Sequence, residues 1–151
     1  MVPKSSVAVA AAAALATLAA GCAKAPRPVL VEAEGTVRLD GKPLKNAEVR
    51  FVPANDWGPE YVASGVTDGA GRFRLACKGQ AGACAGENRV LVLEAEVPAR
   101  LLGEDAQVEL AKYFRSLGGR PIPPRYGNLA ESPLKANVKA DQKEHQFNLT
   151  R

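Results

Sequence analysis

The chain has 151 residues, of which 46% are hydrophobic, 24% charged and only 5% aromatic, and its net charge at pH 7 is +4. This length allows one domain, and the modest charge, with both signs interspersed, gives no indication of a nucleic-acid partner. A single histidine excludes His-pair zinc sites and two-His iron centres within one chain. The composition therefore disfavours an enzyme, and we expect no metal and no cofactor.

The N-terminus has the pattern of a secretory signal peptide. One cation, Lys4, precedes an apolar run of 14 residues from Val7 to Ala20. A helix of that length spans about 21 Å, which is short of the ~30 Å hydrocarbon core, so a permanent membrane-spanning helix is disfavoured. We expect residues 1–21 to be removed.

The apolar run ends in Leu18-Ala19-Ala20-Gly21-Cys22. This segment resembles the bacterial lipobox, in which small residues precede a cysteine that becomes lipidated. The resemblance implies that Cys22 is the lipidated first residue of a cell-envelope protein, and Ala23 after it is typical of sorting to the outer membrane, facing the periplasm or the cell surface. The alternative is a plain signal peptide cleaved near Ala20, with Cys22 an incidental thiol.

The number of cysteines supports lipidation independently. Three cysteines are an odd number for an exported protein, and lipidation of Cys22 leaves Cys77 and Cys84 as a pair. An oxidising compartment favours a disulfide between them, which would stabilise the fold by roughly 2.5 kcal/mol in the chain-entropy model. The alternative, a two-cysteine metal site, lacks further cysteine or histidine ligands nearby.

After a Pro-containing tether (residues 22–28), apolar and polar side chains alternate with period two, which indicates half-buried strands. Trp57 lies in a polar loop between two of these strands. The fifth strand is apolar at Leu91, Leu93, Ala95 and Val97 and is predicted to be central. The seven predicted strands are residues 31–39, 47–51, 61–67, 72–77, 88–97, 134–138 and 146–150.

Residues 104–117 break this pattern. Apolar side chains recur there at helical spacing, and Gly118-Gly119 follows as a stop, so we predict a short amphipathic helix that packs on the sheets; docking of a partner is the alternative. Residues 120–127 contain three prolines, which remove hydrogen-bond donors from a strand. We predict that they form an extended, polyproline-like cover over a sheet edge, within a helical and Pro-rich insertion at about residues 100–130.

Seven short strands predict an all-β fold of two stacked sheets. Residues 29–150 also contain a series of short motifs: Gly35-Thr36-Val37, Leu39-Asp40-Gly41-Lys42-Pro43-Leu44, then Ala47, Val49 and Phe51-Val52-Pro53, Gly65-Val66-Thr67-Asp68, Gly71-Arg72-Phe73-Arg74-Leu75, Ile122-Pro123-Pro124-Arg125-Tyr126 and Ser132-Pro133-Leu134. In this order the motifs resemble the carboxypeptidase-regulatory-like, transthyretin-like domain of small bacterial lipoproteins. The resemblance implies a seven-stranded Greek-key β-sandwich of the prealbumin type, with one short helical insertion in a crossover loop and no established catalytic activity.

The sequence lacks residues that the enzymes considered for this fold require. His145 beside Glu144 has no nucleophile motif near it, and we predict an exposed strand residue. Transthyretin-like hydroxyisourate hydrolases use more than one histidine and end in Tyr-Arg-Gly-Ser, whereas residues 148–151 here are Asn-Leu-Thr-Arg. Intradiol ring-cleaving dioxygenases share the sandwich but need a second iron-binding histidine. The aspartates beside glycines are predicted turn residues rather than calcium ligands.

Two pairs of residues are candidate binding positions. Trp57 with Tyr61 would suit stacking on a sugar or anchoring a protein partner, although Trp57 folding back onto the core is the simpler interpretation; Arg125 with Tyr126 is the other surface. We predict a non-catalytic, lipid-anchored module with an interaction or structural role. Its partners would be the membrane, through the N-terminal lipid, and a cell-wall polymer or envelope protein. The alternatives are a carbohydrate- or peptide-binding module and, more remotely, a hydroxyisourate-hydrolase-like enzyme.

Overall fold

The computed structural model describes residues 26–151. The predicted signal peptide, Cys22 and the first part of the tether therefore lie outside the described residues. Within the described part the chain is mostly β-strand with one α-helix, α1 (Gln107–Leu117), and short 3-10 turns at Pro59–Tyr61, Ala99–Leu101, Glu104–Ala106 and Pro124–Gly127.

The strands are short and follow one another closely along the described chain. They are β1 (Leu30–Val31), β2 (Glu34–Leu39), β3 (Lys42–Pro43), β4 (Ala47–Pro53), β5 (Ala63–Val66), β6 (Arg72–Arg74), β7 (Ala76–Cys77), β8 (Gln80–Ala81), β9 (Ala83–Cys84), β10 (Gly86–Glu94), β11 (Lys135–Val138) and β12 (Glu144–Leu149).

The larger of the two main sheets has six antiparallel strands in the order β11-β10-β4-β5-β7-β8. Its longest strand, β10, pairs with β4 on one side, from Asn88 opposite Pro53 to Glu94 opposite Ala47, and with β11 on the other. The prediction that this strand is central is therefore confirmed.

The second main sheet is built around β2. This strand runs parallel to β12 and antiparallel to β3 and β6. The chain changes sheets at Leu75, because β6 pairs with β2 whereas β7, one residue later, pairs with β5 of the six-stranded sheet. A separate ladder of β1 and β9 lies where the tether joins the fold.

Aromatic side chains join the two main sheets. The ring of Phe51 on β4 contacts Phe73 on β6 and Phe147 on β12, with centroid distances of 6.2 and 5.9 Å. Alternate residues of the longer strands point into this core and are almost fully buried, and each valine, leucine or phenylalanine among them stabilises the fold by about 1.5–3 kcal/mol. They include Val37, Leu39, Ala47, Val49, Ala63, Val90, Val92, Val138 and Leu149.

The predicted all-β class with one short helix is confirmed at this level. Each of the seven predicted strands overlaps an observed one, but the first is interrupted at Glu32 and Ala33 and the fourth at Leu75. The described chain consequently has more and shorter strands than the alternation suggests, because a strand that leaves one sheet for the other must bend.

The apolar face predicted for the fifth strand is present at Leu91 and Leu93, but the strand ends at Glu94, before Ala95 and Val97. Val90 and Val92 face the core, whereas Leu91 and Leu93 lie on the opposite face of β10. This second apolar face is covered by the turn at Pro124–Gly127, where Gly127 approaches the Leu93 side chain closely. Both faces of a buried central strand are apolar, so alternation alone does not distinguish them.

The crossover between β10 and β11 also differs from its prediction. Residues 124–127 form a 3-10 turn rather than an extended segment, and Ile122 and Tyr126 enter the core. Proline fixes φ near −65°, a value that a 3-10 turn and a polyproline segment share, so the pattern does not separate the two. Arg120 attaches the crossover by donating to the carbonyls of Lys45 (2.6 Å) and Asn46 (3.0 Å).

The predicted helix is present but packs only lightly on the sheets. The α-helix covers the last eleven of the predicted residues, and the Glu104–Ala106 turn precedes it. Of its side chains only Leu117 is buried, while Phe114 is 48% exposed. A hydrogen bond from Asn46 Nδ2 to the Tyr113 hydroxyl adds a second attachment. The helix therefore stands at the end of the sheets rather than across a face.

Gly35 on β2 should be among the positions least tolerant of a side chain. A Cβ built there would lie 1.9 Å from the backbone oxygen of His145, so β12 would have to move. We expect Gly35→Ala to lower the free energy of unfolding by about 2–3 kcal/mol in urea titrations. Gly69→Ala, where a Cβ meets nothing within 4 Å, should change it by less than about 0.5 kcal/mol. Equal stability of the two variants would contradict the close strand contact.

Candidate functional site

The end of the fold where the tether joins it, called here the tether end, holds two of the predicted groups. The N–H of Ala85 donates to the carbonyl of Val29 (2.8 Å), and Leu30 pairs with Cys84. Cys84 in turn lies against the loop that carries Trp57 and Tyr61. The cysteine pair and the first aromatic pair are thus brought together, although they are distant from each other in the sequence.

The two cysteines are fully enclosed. Cys77 ends β7 and Cys84 ends β9, and each side chain is 1% exposed. Both are free thiols in this structure, within hydrogen-bonding reach of each other. Their S–H groups also point to the backbone oxygens of Glu60 (3.8 Å) and Tyr61 (3.5 Å). The structure thus brings the predicted partners together, and the disulfide itself stays a prediction.

The chemistry of these thiols is that of structural cysteines. Burial, together with the neighbouring Cys77, raises the pKa of Cys84 to about 11. Burial also raises the pKa of Cys77, against the opposing charge of Lys78. The thiolate is the nucleophile in cysteine chemistry, so neither side chain is activated for attack at neutral pH.

Trp57 and Tyr61 have different surroundings within their loop. Trp57 is half-buried, its neighbours at positions 54–56 are exposed, and it is not part of the core cluster. Tyr61 packs against the core, and the Lys78 ammonium lies over its ring, 4.5 Å from the centroid. Trp57 is therefore the aromatic side chain of this loop that lies outside the core cluster.

Arg125 and Tyr126 lie at the opposite end, called here the helix end, where β2, β10 and β12 finish. Tyr126 is only 4% exposed, and its hydroxyl is 3.0 Å from both the N–H and the carbonyl oxygen of Thr150. Arg125 stacks on the Tyr126 ring and also donates to the Thr150 carbonyl. In this structure the pair attaches the C-terminal strand to the crossover, and it does not form one surface with Trp57 and Tyr61.

The prediction that His145 is exposed is wrong. Its side chain is 6% exposed, its ring meets Phe51 edge-on at 5.5 Å, and Nε2 has no hydrogen-bond partner among residues 26–151. Burial lowers the pKa of the imidazole. His145 has the same parity as Phe147 and Leu149 on β12, so the alternation itself contained the signal for burial.

Sequence reasoning missed a charged cavity at the tether end. It has a volume of about 290 Å³ and is lined by Glu32, Glu34, Arg74, Leu75 and Lys143, together with smaller residues. Its charges pair with each other: Lys143 with Glu32 at 2.7 Å and Arg74 with Glu34 at 3.1 Å. Such exposed pairs contribute little stability, and they leave the cavity without an uncompensated charge to hold an ion.

Comparisons with known proteins give no further assignment: no protein-family model, curated protein or solved structure matches the chain. Residues 26–151 contain no cluster of three or more histidine, cysteine, aspartate or glutamate side chains able to hold a metal ion. No helix in the same part of the chain has both the length and the apolar character needed to span a bilayer.

His145 should make the fold sensitive to acid. Because the folded state holds the imidazole neutral, the unfolded chain binds a proton more readily once the pH falls below about 6.5. We expect the free energy of unfolding to decrease by up to about 2 kcal/mol between pH 7.5 and pH 5, measured by urea titration.

The matched control for this acid sensitivity is His145→Phe, which keeps an aromatic ring beside Phe51 but does not titrate. Since the chain has one histidine, this variant should lose most of the change between pH 7.5 and pH 5. An equal loss of stability in the variant would assign the effect to other groups.

Proposed function

We propose that this protein is a non-catalytic, lipid-anchored module of the cell envelope, attached through Cys22, with the Greek-key β-sandwich topology of the prealbumin type. The observation that supports the proposal most is the way the chain joins the fold. Residues 26–29 form no helix or strand, Val29 is 67% exposed, and the first hydrogen-bonded ladder begins at Leu30. A segment without helix or strand that joins the fold at one end is suited to act as a tether.

The length of this tether limits how far the domain would stand from a membrane. Seven residue steps separate Cys22 from Val29, and an extended chain covers at most about 3.3–3.6 Å per residue. The tether end would thus stay within about 25 Å of the lipid, with the helix end facing away. The domain would present α1 and the crossover towards the other components of the envelope.

The environments of the reactive side chains support a non-catalytic role. His145 is buried beside the ring of Phe51, both thiols are protonated at neutral pH, and the cavity charges are paired. A hydrolase of the hydroxyisourate type would need an accessible histidine, so the position of His145 argues against this remote alternative.

Trp57 favours a second candidate function, the binding of a carbohydrate or an extended peptide. Its indole lies outside the core cluster, in a loop whose neighbouring side chains are exposed. An aromatic ring with one open face suits stacking on a sugar, and aromatic anchors dominate many protein interfaces. At the tether end such a site would lie close to the membrane.

Lipidation can be tested with the full chain expressed in a bacterial host. We expect the mature N-terminal peptide to carry diacylglycerol on Cys22, detected by mass spectrometry, and the protein to enter the detergent phase on Triton X-114 partitioning. Cys22→Ala should remain in the aqueous phase, whereas the matched variant Cys77→Ala should keep the lipid. Cleavage near Ala20 with an unmodified Cys22 would contradict the proposal.

Binding at Trp57 can be followed through its own fluorescence, because it is the only tryptophan in the chain. If the second candidate is correct, peptidoglycan or oligosaccharide fragments shift its emission, and Trp57→Ala weakens retention on peptidoglycan by about tenfold or more. Phe114→Ala, which removes an exposed aromatic ring at the helix end, is the control and should bind normally. Unchanged emission and retention that is independent of Trp57 would eliminate this candidate.

A further inference from the structure

The last strand, β12, has one paired and one unpaired edge. It pairs with β2 in a parallel ladder. The carbonyls of Lys143 and Leu149 accept hydrogen bonds from the N–H groups of Glu34 and Asp40, both at 2.9 Å. In a parallel ladder, every second residue of a strand directs its backbone N–H and C=O groups towards the neighbouring strand. The backbone groups of His145 and Phe147, which lie between Lys143 and Leu149 in this alternation, therefore also point towards β2.

The intervening residues Glu144, Gln146 and Asn148 direct their N–H and C=O groups away from β2. Those groups have no hydrogen-bond partner within residues 26–151, and the three side chains are exposed. Thr150 has the same parity, but its backbone groups are bonded to Tyr126 and Arg125. The free edge of β12 therefore consists of residues 144, 146 and 148.

The free edge of β12 lacks the usual protection of an edge strand. It contains no proline, and two of its three outward residues are uncharged amides. By contrast, β11 at the edge of the other main sheet presents Lys135 and Asn137 at the corresponding positions and is followed by Lys139. Lysine on an edge strand discourages pairing, so the difference identifies β12 as the edge suited to another strand.

We propose that a second copy of this chain pairs with the free edge of β12, antiparallel and centred on Gln146. In that register Glu144 lies opposite Asn148 of the second copy, and Gln146 lies opposite its own equivalent. Directly opposed residues of this kind exchange both backbone hydrogen bonds, so three pairs with two bonds each give six. Every free N–H and C=O on both edges is then satisfied.

Other registers satisfy fewer groups. A pairing centred on His145 places Asn148 opposite Gln142, whose N–H already donates to the carbonyl of Lys139. A pairing centred on Phe147 needs Thr150, whose N–H already donates to the Tyr126 hydroxyl. The central register also opposes no like charges, because each Glu144 carboxylate faces an Asn148 amide. The strand is therefore complementary to itself about a two-fold axis at Gln146, whereas nothing in its edge specifies a foreign peptide.

Cysteine cross-linking in the full chain tests the register. Opposed residues that exchange hydrogen bonds have Cα atoms about 5.5 Å apart, which is within the range that a disulfide can bridge. After detergent solubilisation and oxidation with copper phenanthroline, Gln146→Cys should give a covalent dimer on a non-reducing gel. Wild type and Asn148→Cys alone should not, but Glu144→Cys co-expressed with Asn148→Cys should.

Charge exchange provides a second test without cysteines. Because the contact is one short strand, we expect a dissociation constant on the order of 10 μM or weaker, measured by analytical ultracentrifugation. Gln146→Lys and Gln146→Glu should each weaken self-association at least tenfold, and mixing the two variants should restore it.

Two outcomes would overturn the proposal: a monomer at all concentrations, or cross-linking of Asn148→Cys as efficient as that of Gln146→Cys. A monomer would leave the free edge to an extended segment of a different protein. The proposal does not depend on lipidation, since the Cys22→Ala chain should associate in the same way.

Discussion

The contact between Phe51 and the aromatic rings of the second main sheet is the interaction on which the rest of the structure depends. Phe51 meets Phe73, Phe147 and His145, and these contacts set how the two sheets face each other. Inward positions on β4 and β12 are consequently unavailable for surface chemistry. His145 occupies one of these inward positions on β12, and the chain's one histidine is therefore a core residue.

The same arrangement gives the domain two chemically different ends. The tether end combines the β1–β9 ladder, the thiol pair and the Trp57 loop, so that each thiol lies close to the backbone carbonyls of that loop. The helix end combines α1 with the Tyr126 contact to the C-terminal strand. A lipid on Cys22 would thus place the thiol pair and the Trp57 loop near the membrane and the lightly packed helix away from it.

The reactive side chains of the described chain and the free edge of β12 differ in their accessibility. The described chain encloses its histidine and the thiols of Cys77 and Cys84, and it pairs the charges that line its cavity at the tether end. It leaves one edge of β12 open while lysines protect the edge at β11. Backbone groups that are free on an exposed edge have water as their only alternative partner, so a matching strand is a natural occupant.

The local sequence pattern and the tertiary structure determine different features of this protein. Side-chain periodicity in the sequence predicted seven segments that each overlap a strand, the all-β class and the helix near 107–117, because each of these depends on side chains close in sequence. The tertiary structure decided that Val90 rather than Leu91 faces the core, that Tyr126 holds Thr150, and that Cys77 meets Cys84 beside the Trp57 loop. Those features depend on which sheet a strand joins and what covers its outer face, and such long-range packing leaves no local periodicity in the sequence.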